Sequence, residues 1–180
     1  MKATGIVRRV DDLGRIVIPK EIRRTLKIRE GDPLEIYTEK DGGVIFRKYS
    51  PMGDLQELAG QICQSISENT GLIAAVADRD SIIALCGASK KELLEKPCSA
   101  PLAKLLDQRK TYTYEPGGNL IPVSEDSGKY HLSVATPILC QGDILGGVLL
   151  LMEDQGTVPT EADRKLAQTV ASFLGRQMED

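Results

Sequence analysis

Residues 12–24 read Asp-Leu-Gly-Arg-Ile-Val-Ile-Pro-Lys-Glu-Ile-Arg-Arg, and this stretch decides the fold of the first fifty residues. Leu13-Gly14 is a turn signal, and the β-branched run at 16–18 is typical of a strand. Pro19 ends that strand and suits the first turn of a helix, where its missing N–H costs nothing. Ile22 and Leu26 then stand four residues apart on one helix face. The stretch therefore predicts a turn, a strand and a short helix.

The segments on either side extend this pattern. Residues 4–10 are rich in β-formers, so they predict a hairpin with residues 15–18. After a helix over residues 20–28, strands are expected at 33–39 and 44–48, separated by Asp41-Gly42-Gly43. The result is a β-β-α-β-β unit of about fifty residues. A unit this small buries little surface and has no disulfide or metal pattern to stabilise it, so we expect an obligate dimer.

Basic and acidic side chains are distributed unevenly between the first fifty residues and the rest of the chain. The 180 residues carry a net charge of −3, yet residues 1–29 contain nine basic and three acidic side chains. Residues 51–180 contain 11 basic and 18 acidic side chains. A basic module joined to an acidic remainder predicts a polyanion-binding surface. Because no aromatic side chain lies in the basic stretch, single-strand stacking is disfavoured and a nucleic-acid duplex is the expected partner.

Residues 1–26, with the unbroken block at 12–24, are very similar to the AbrB-type transition-state regulators. That resemblance implies a swapped-hairpin, intertwined dimer that binds double-stranded DNA and reads its shape. It also implies that the family's DNA-binding arginines correspond to Arg8, Arg15, Arg23 and Arg24. Three further basic residues are weaker candidates: Lys2, Arg9 and Lys20.

A domain boundary is expected near residues 50–54, where Pro51 and Gly53 interrupt any regular element. We therefore assign residues 1–52 to a DNA-binding and dimerisation domain and residues 53–180 to a regulatory and oligomerisation domain. The second segment predicts a helix over 54–70, an antiparallel sheet, and a last helix from Thr160 to Met178. A capping box is expected at Ser89 with Glu92. The apolar stripe predicted for the last helix comprises Ala162, Leu166, Val170, Phe173 and Leu174.

The layout of the second segment resembles a GAF-type sensory domain, so the predicted fold class is α+β. Its first and last helices are expected to pack on one sheet face or to meet copies of themselves. The combination of the two domains resembles transcription regulators of endospore-forming bacteria. That resemblance implies activation and repression of forespore genes by a homotetramer, dimerised through the N-terminal domain and again through the C-terminal helices. It also implies a small-molecule ligand of unknown identity for the C-terminal domain.

The sequence predicts no catalytic site, metal site or cofactor. The four cysteines contain no Cys-x-x-Cys pair, and the one histidine, His131, has no triad-like surroundings. Cys63 and Cys140 are expected in the core, and Gly146-Gly147 is expected to mark a bulge or close packing. With no export signal or apolar span, we expect a cytoplasmic, nucleoid-associated protein with no membrane partner.

Two alternative functions remain open. An antitoxin-type DNA-binding regulator would also carry an AbrB-like N-terminal domain, but antitoxin tails are usually short and disordered. A GAF-like reductase acting through Cys86 and Cys98 would leave the basic N-terminal segment without a purpose. Pocket-lining residues are expected within 97–131.

Overall fold

The computed structural model describes residues 5–49, 52, 55–153 and 158–179. The chain divides into two compact units, residues 1–49 and 50–180. Met52 is fully buried in the core of the second unit. No helix in the described ranges is both long and apolar enough to cross a bilayer.

The first unit contains one helix and one hairpin. Helix α1 spans Lys20–Thr25, and strands β1 (Leu34–Thr38) and β2 (Val44–Lys48) pair antiparallel. The Lys48 ammonium lies 3.3 Å from the Asp32 carboxylate and donates to the carbonyl of Lys27 at 3.0 Å. These contacts connect β2 to the turn that follows α1, so Lys48 is part of the scaffold.

The two N-terminal strands predicted at 4–10 and 15–18 are not formed within the single chain. Residues 5–18 lie in no strand or helix, although residues 11–14 make the expected turn. An unpaired strand leaves its backbone groups and its apolar side chains in water. Six apolar side chains of this segment are indeed exposed: Ile6, Val7, Val10, Leu13, Ile16 and Val17. The two strands are therefore absent from the described residues of the single chain, whereas the prediction placed them in an intertwined dimer.

The second unit is α+β, as predicted. It begins with helix α2 (Gln56–Thr70) and ends with helix α5 (Glu161–Arg176). Between them lie two short helices and six strands, in chain order β3 (Ile73–Asp78), β4 (Ile82–Cys86), α3 (Lys90–Leu93), α4 (Ala100–Asp107), β5 (Tyr112–Thr113), β6 (Pro122–Ser124), β7 (Ser127–Cys140) and β8 (Asp143–Glu153).

The strands form one antiparallel sheet in the order β4-β3-β8-β7-β5, with β6 also paired to β7. Alternate residues of the central strands serve two cores. Val76 and Leu150 face a core that contains α2 and α5, whereas Ala75 and Leu149 face a core that contains α3 and α4. The first and last helices therefore lie on one sheet face, as the sequence predicts.

The glycine pair in β8 marks a close approach, as expected. A Cβ on Gly146 would lie 2.0 Å from the carbonyl oxygen of Ala77, and one on Gly147 would lie 2.6 Å from a Leu106 methyl. The pair lets the neighbouring strand β3 and helix α4 pack against β8.

Two predictions for the helices were wrong in detail. Ser89 makes no side-chain cap, because its contact with Glu92 runs through its backbone carbonyl. In α5 the predicted Leu174 is buried and Leu166 and Val170 pack against the same core, so this part of the stripe is confirmed. Ala162 and Phe173 are exposed instead, and the buried Ala167 and Ala171 were not predicted. Thr160 and Asp163 form the capping box that starts this helix.

Candidate nucleic-acid interface

Asp11 organises the turn that follows the first predicted strand. Its carboxylate accepts hydrogen bonds from the backbone N–H groups of Leu13 at 3.1 Å and Arg15 at 2.7 Å. The backbone hydrogen bond from Arg15 is the main cause that lowers the pKa of the Asp11 carboxyl below its usual value. Gly14 has a φ of 78°, which glycine adopts without steric cost. The turn is thus held by its own first residue.

The same carboxylate orients a candidate DNA-binding side chain. The second oxygen of Asp11 accepts from Nε of Arg15 at 2.7 Å, while the Arg15 side chain remains 70% exposed. This geometry occupies one edge of the guanidinium and leaves its terminal nitrogens in solvent. A phosphate oxygen or a guanine edge is the natural acceptor for such a group. The sequence predicted Arg15 as a DNA-binding residue, whereas Asp11 was predicted only as part of a turn.

Helix α1 positions three more of the predicted residues. Lys20 and Arg24 are exposed, and Arg23 is half-buried. Nε of Arg23 is enclosed by the protein and has no hydrogen-bond partner in the described part of the chain. An unsatisfied buried donor costs about 1–3 kcal/mol.

The remaining predicted residues precede the turn. Arg8 and Arg9 are exposed, and Lys2 lies outside the described residues. Among the described residues, Arg15 is the one predicted arginine that forms an ion pair, and its partner is Asp11. Residues 8–29 carry eight basic and three acidic side chains and thus present a mainly basic surface.

Comparison with known proteins identifies the family. The family model described as "Stage V sporulation protein T C-terminal, transcription factor" matches residues 54–179. Stage V sporulation protein T of Bacillus subtilis (strain 168) is 45% identical over 182 aligned residues, which cover 99% of each chain. The chain belongs to the stage V sporulation protein T family.

A second family model, described as "Antidote-toxin recognition MazE, bacterial antitoxin", matches residues 7–54. The transition state regulatory protein AbrB of B. subtilis is 63% identical over 51 residues, which are 28% of this chain and 52% of AbrB. The resemblance of the N-terminal unit to AbrB-type proteins is thereby confirmed.

Solved structures confirm the fold of the second unit. A GAF domain/HD domain protein from Geobacter sulfurreducens superposes with a TM-score of 0.52 at 16% identity, covering 69% of this chain and 91% of its own. A type II free methionine-R-sulfoxide reductase from Thermoplasma acidophilum has a TM-score of 0.53 at 14% identity, covering 69% and 95%. These likenesses concern the fold alone.

The second unit shows little sign of reactive side chains. Cys63 is buried in the sheet–helix core, where desolvation raises the pKa of its thiol to about 12. Cys140, predicted in the core, is only half-buried, and Cys86 and Cys98 are half-buried as well. Nδ1 of His131 is enclosed without a hydrogen-bond partner in the described ranges. Over the same ranges, the acidic, cysteine and histidine side chains form no group able to hold a metal ion.

Proposed function

We propose that this protein is a transcription regulator that binds double-stranded DNA and controls sporulation genes as activator and repressor, at the nucleoid. Residues 1–52 bind DNA and dimerise, and residues 53–180 regulate and complete the oligomer. The observation that carries the proposal is the exposed guanidinium of Arg15, held by Asp11 at the turn of an AbrB-like unit. Membership of a transcription-factor family supports it.

The proposed contacts are mainly electrostatic. Arg8, Arg15 and Arg24 are exposed and Arg23 is half-buried, and their guanidinium groups are the proposed donors to phosphate oxygens or base edges. Lys2, Arg9 and Lys20 add further charge. Each phosphate neutralised releases condensed counterions, which makes the affinity fall as salt rises. A set of arginines on a turn and a short helix also suits recognition of groove shape.

Dimerisation through the N-terminal unit follows from its exposed apolar surface. Val7 and Val17 are 85% and 73% exposed in the single chain. Pairing residues 5–18 with a second copy would bury these side chains. Two-fold symmetry would then double the basic surface presented to a duplex.

Assembly of dimers into tetramers is assigned to helices α2 and α5. A groove of about 560 Å³ lies between them, and its apolar lining consists of Leu58, Ile62, Ile66, Leu166, Val170 and Phe173. Helix α5 therefore has one apolar face on the sheet and a second in this groove. A second copy of the same helix pair matches the groove in apolar character, and Phe173 is the natural anchor.

The proposed role is not enzymatic. A thiol nucleophile reacts as the thiolate, and the raised pKa of Cys63 keeps that thiol protonated at neutral pH. The reductase alternative would rest on Cys86 and Cys98, but the likeness to a reductase concerns the fold alone, at 14% identity. The antitoxin alternative is favoured by the match over residues 7–54, but the folded second unit, with two cores of its own, argues against it.

The test is duplex binding by full-length variants. Arg15→Ala and Arg24→Ala are each expected to weaken binding several-fold on every duplex and to reduce the salt dependence by about one counterion. Arg47→Ala is the matched control, since this arginine lies on β2 with its guanidinium 4.8 Å from the Tyr37 ring. Gel shifts at several salt concentrations measure both quantities. Equal affinity in all three variants and the wild type would contradict the assigned surface.

A further inference from the structure

A second, polar cavity lies at the β7–β5 edge of the sheet, on the flank of α5 that faces away from the apolar groove. Its volume is about 350 Å³, within the range of small-molecule pockets. Gln168, Ser172 and Arg176 line it at helical spacing from α5, and Arg109 and Thr111 line it from the segment between α4 and β5. The lining thus combines two arginines with hydroxyl and amide groups.

Hydrogen bonding within the cavity leaves a donor without an acceptor. Oγ1 of Thr111 lies 3.3 Å from Oγ1 of Thr136 and accepts from Nε2 of Gln168 at 3.1 Å. Whichever threonine donates to the other, one hydroxyl proton has no acceptor among the described residues. Thr136 is buried and donates to Thr111, so the proton without an acceptor is that of the half-buried Thr111 hydroxyl, which lines the cavity. A ligand oxygen that accepts a hydrogen bond would complete the arrangement.

The two arginines are available for the same ligand. Neither Arg109 nor Arg176 makes a side-chain hydrogen bond or an ion pair with any described residue. Arg109 also has a φ of 56°, a left-handed conformation that favours glycine at the end of a helix. Its backbone N–H donates to the carbonyl of Leu106 at 3.0 Å, so α4 holds that position. The fold therefore places a cationic side chain at a position whose backbone conformation glycine adopts at lower energetic cost.

We propose that this cavity binds a small anion through a carboxylate or phosphate group, held by Arg109, Arg176 and the Thr111–Thr136 hydroxyl pair. Guanidinium groups bind both kinds of oxyanion with paired, charge-assisted hydrogen bonds. Glu179 also lines the cavity and opposes part of this positive charge. A regulatory role for anion binding rests on the proposed function. The anion binding itself is argued from the geometry of the cavity alone.

The experiment is calorimetric titration of the full-length protein with inorganic phosphate and, separately, with citrate, at constant ionic strength set by sodium chloride. At least one of the two is expected to bind. Arg109→Gln and Arg176→Gln are each expected to weaken that binding about tenfold or more, since charge-assisted hydrogen bonds contribute roughly 1.5–3 kcal/mol. Glu179→Gln removes an opposing charge and is expected to strengthen it. The matched control is Lys165→Gln, on the same helix but outside the cavity lining, and it is expected to bind as the wild type does.

The outcomes separate this proposal from the DNA-binding one. Binding of phosphate alone or of citrate alone supports the site and identifies the chemical source of the ligand group. No binding of either, or equal binding by the arginine variants and the wild type, overturns the site. Weaker binding in Glu179→Gln overturns it too, because it would indicate a ligand with a cationic group. Gel shifts on the same variants measure DNA binding independently, so loss of the anion site with DNA binding intact leaves the proposed function standing.

Discussion

Asp11 holds Arg15 at two points, because one carboxylate oxygen accepts from the backbone N–H and the other from Nε of the side chain, both at 2.7 Å. The turn and the direction of the exposed guanidinium therefore depend on one acidic residue in a mainly basic stretch. An acidic side chain beside proposed phosphate contacts repels DNA while it positions the group that binds it. Separating these two effects is a direct test of the interface.

Asparagine and alanine at position 11 separate them. Asp11→Asn keeps an oxygen that can accept the backbone hydrogen bonds but removes the negative charge, so duplex affinity is expected to rise by about two- to threefold with a steeper salt dependence. Asp11→Ala removes the turn contacts as well and is expected to weaken binding below the wild-type level. Gel shifts at two salt concentrations give the order of the duplex affinities of the wild type and the two variants. Asparagine binding no better than alanine would contradict the positional role of the carboxylate.

The tetramer proposal predicts that Phe173→Glu yields dimers. A carboxylate in the apolar groove between α2 and α5 would be desolvated by a second copy, which is unfavourable. Losing the second pair of DNA-binding units would also lower the effective concentration at DNA and weaken binding by up to roughly 10²-fold. Light scattering after size exclusion measures the assembly. The control Thr169→Glu is exposed on the same helix and does not line the groove; dimers in the control, or tetramers in Phe173→Glu, would contradict the assignment.

A substitution at Gly146 tests how closely strands β3 and β8 pack in the sheet. An added methyl group would lie 2.0 Å from the backbone oxygen of Ala77, which cannot move without disturbing the β3–β8 pairing. Gly146→Ala is therefore expected to lower the free energy of unfolding by about 1–3 kcal/mol or more.

Gly60→Ala is the matched control, since its added methyl in α2 would meet nothing within 4 Å. Relief of the helix penalty of glycine is expected to raise stability by about 0.5–1 kcal/mol. Urea denaturation measures the change in the free energy of unfolding for both variants. Changes of the same sign in the two variants would be inconsistent with this packing.

The buried thiol of Cys63 makes stability depend on alkaline pH. Its pKa is raised from 9.0 to about 12 by burial, so between these values the unfolded chain loses a proton that the folded chain retains. Stability is therefore present below pH 9 and falls above it, with a limiting slope of about 1.4 kcal/mol per pH unit from this group.

Replacing the thiol isolates this contribution. Cys63→Ala is expected to show a flatter decline in the free energy of unfolding between pH 8 and 10 than the wild type. Denaturation by urea across that range measures the difference between the two slopes. Parallel curves for the variant and the wild type would show that Cys63 does not titrate differently on unfolding.

Local patterns in the sequence were sufficient for much of the fold. The turn at Asp11–Gly14 and the start of the last helix after Thr160 each depend on residues close together in the chain. The close packing at Gly146-Gly147 was also predicted, because glycine in a strand signals it. The unbroken block at 12–24 and the charge asymmetry were enough to predict a nucleic-acid partner.

Other features required the tertiary arrangement, because they join residues far apart in sequence. The cavity brings Arg109 beside Arg176, and neither helical nor strand periodicity indicates that meeting. The same limit explains why the stripe predicted for α5 included the exposed Phe173 and left out Ala167 and Ala171, which are buried in the sheet–helix core. The amino-acid order determined which segments turn, pair and carry charge, since those properties act over a few residues. Which side chains share a core or a cavity was decided by long-range packing, since it depends on how the whole sheet and its helices come together.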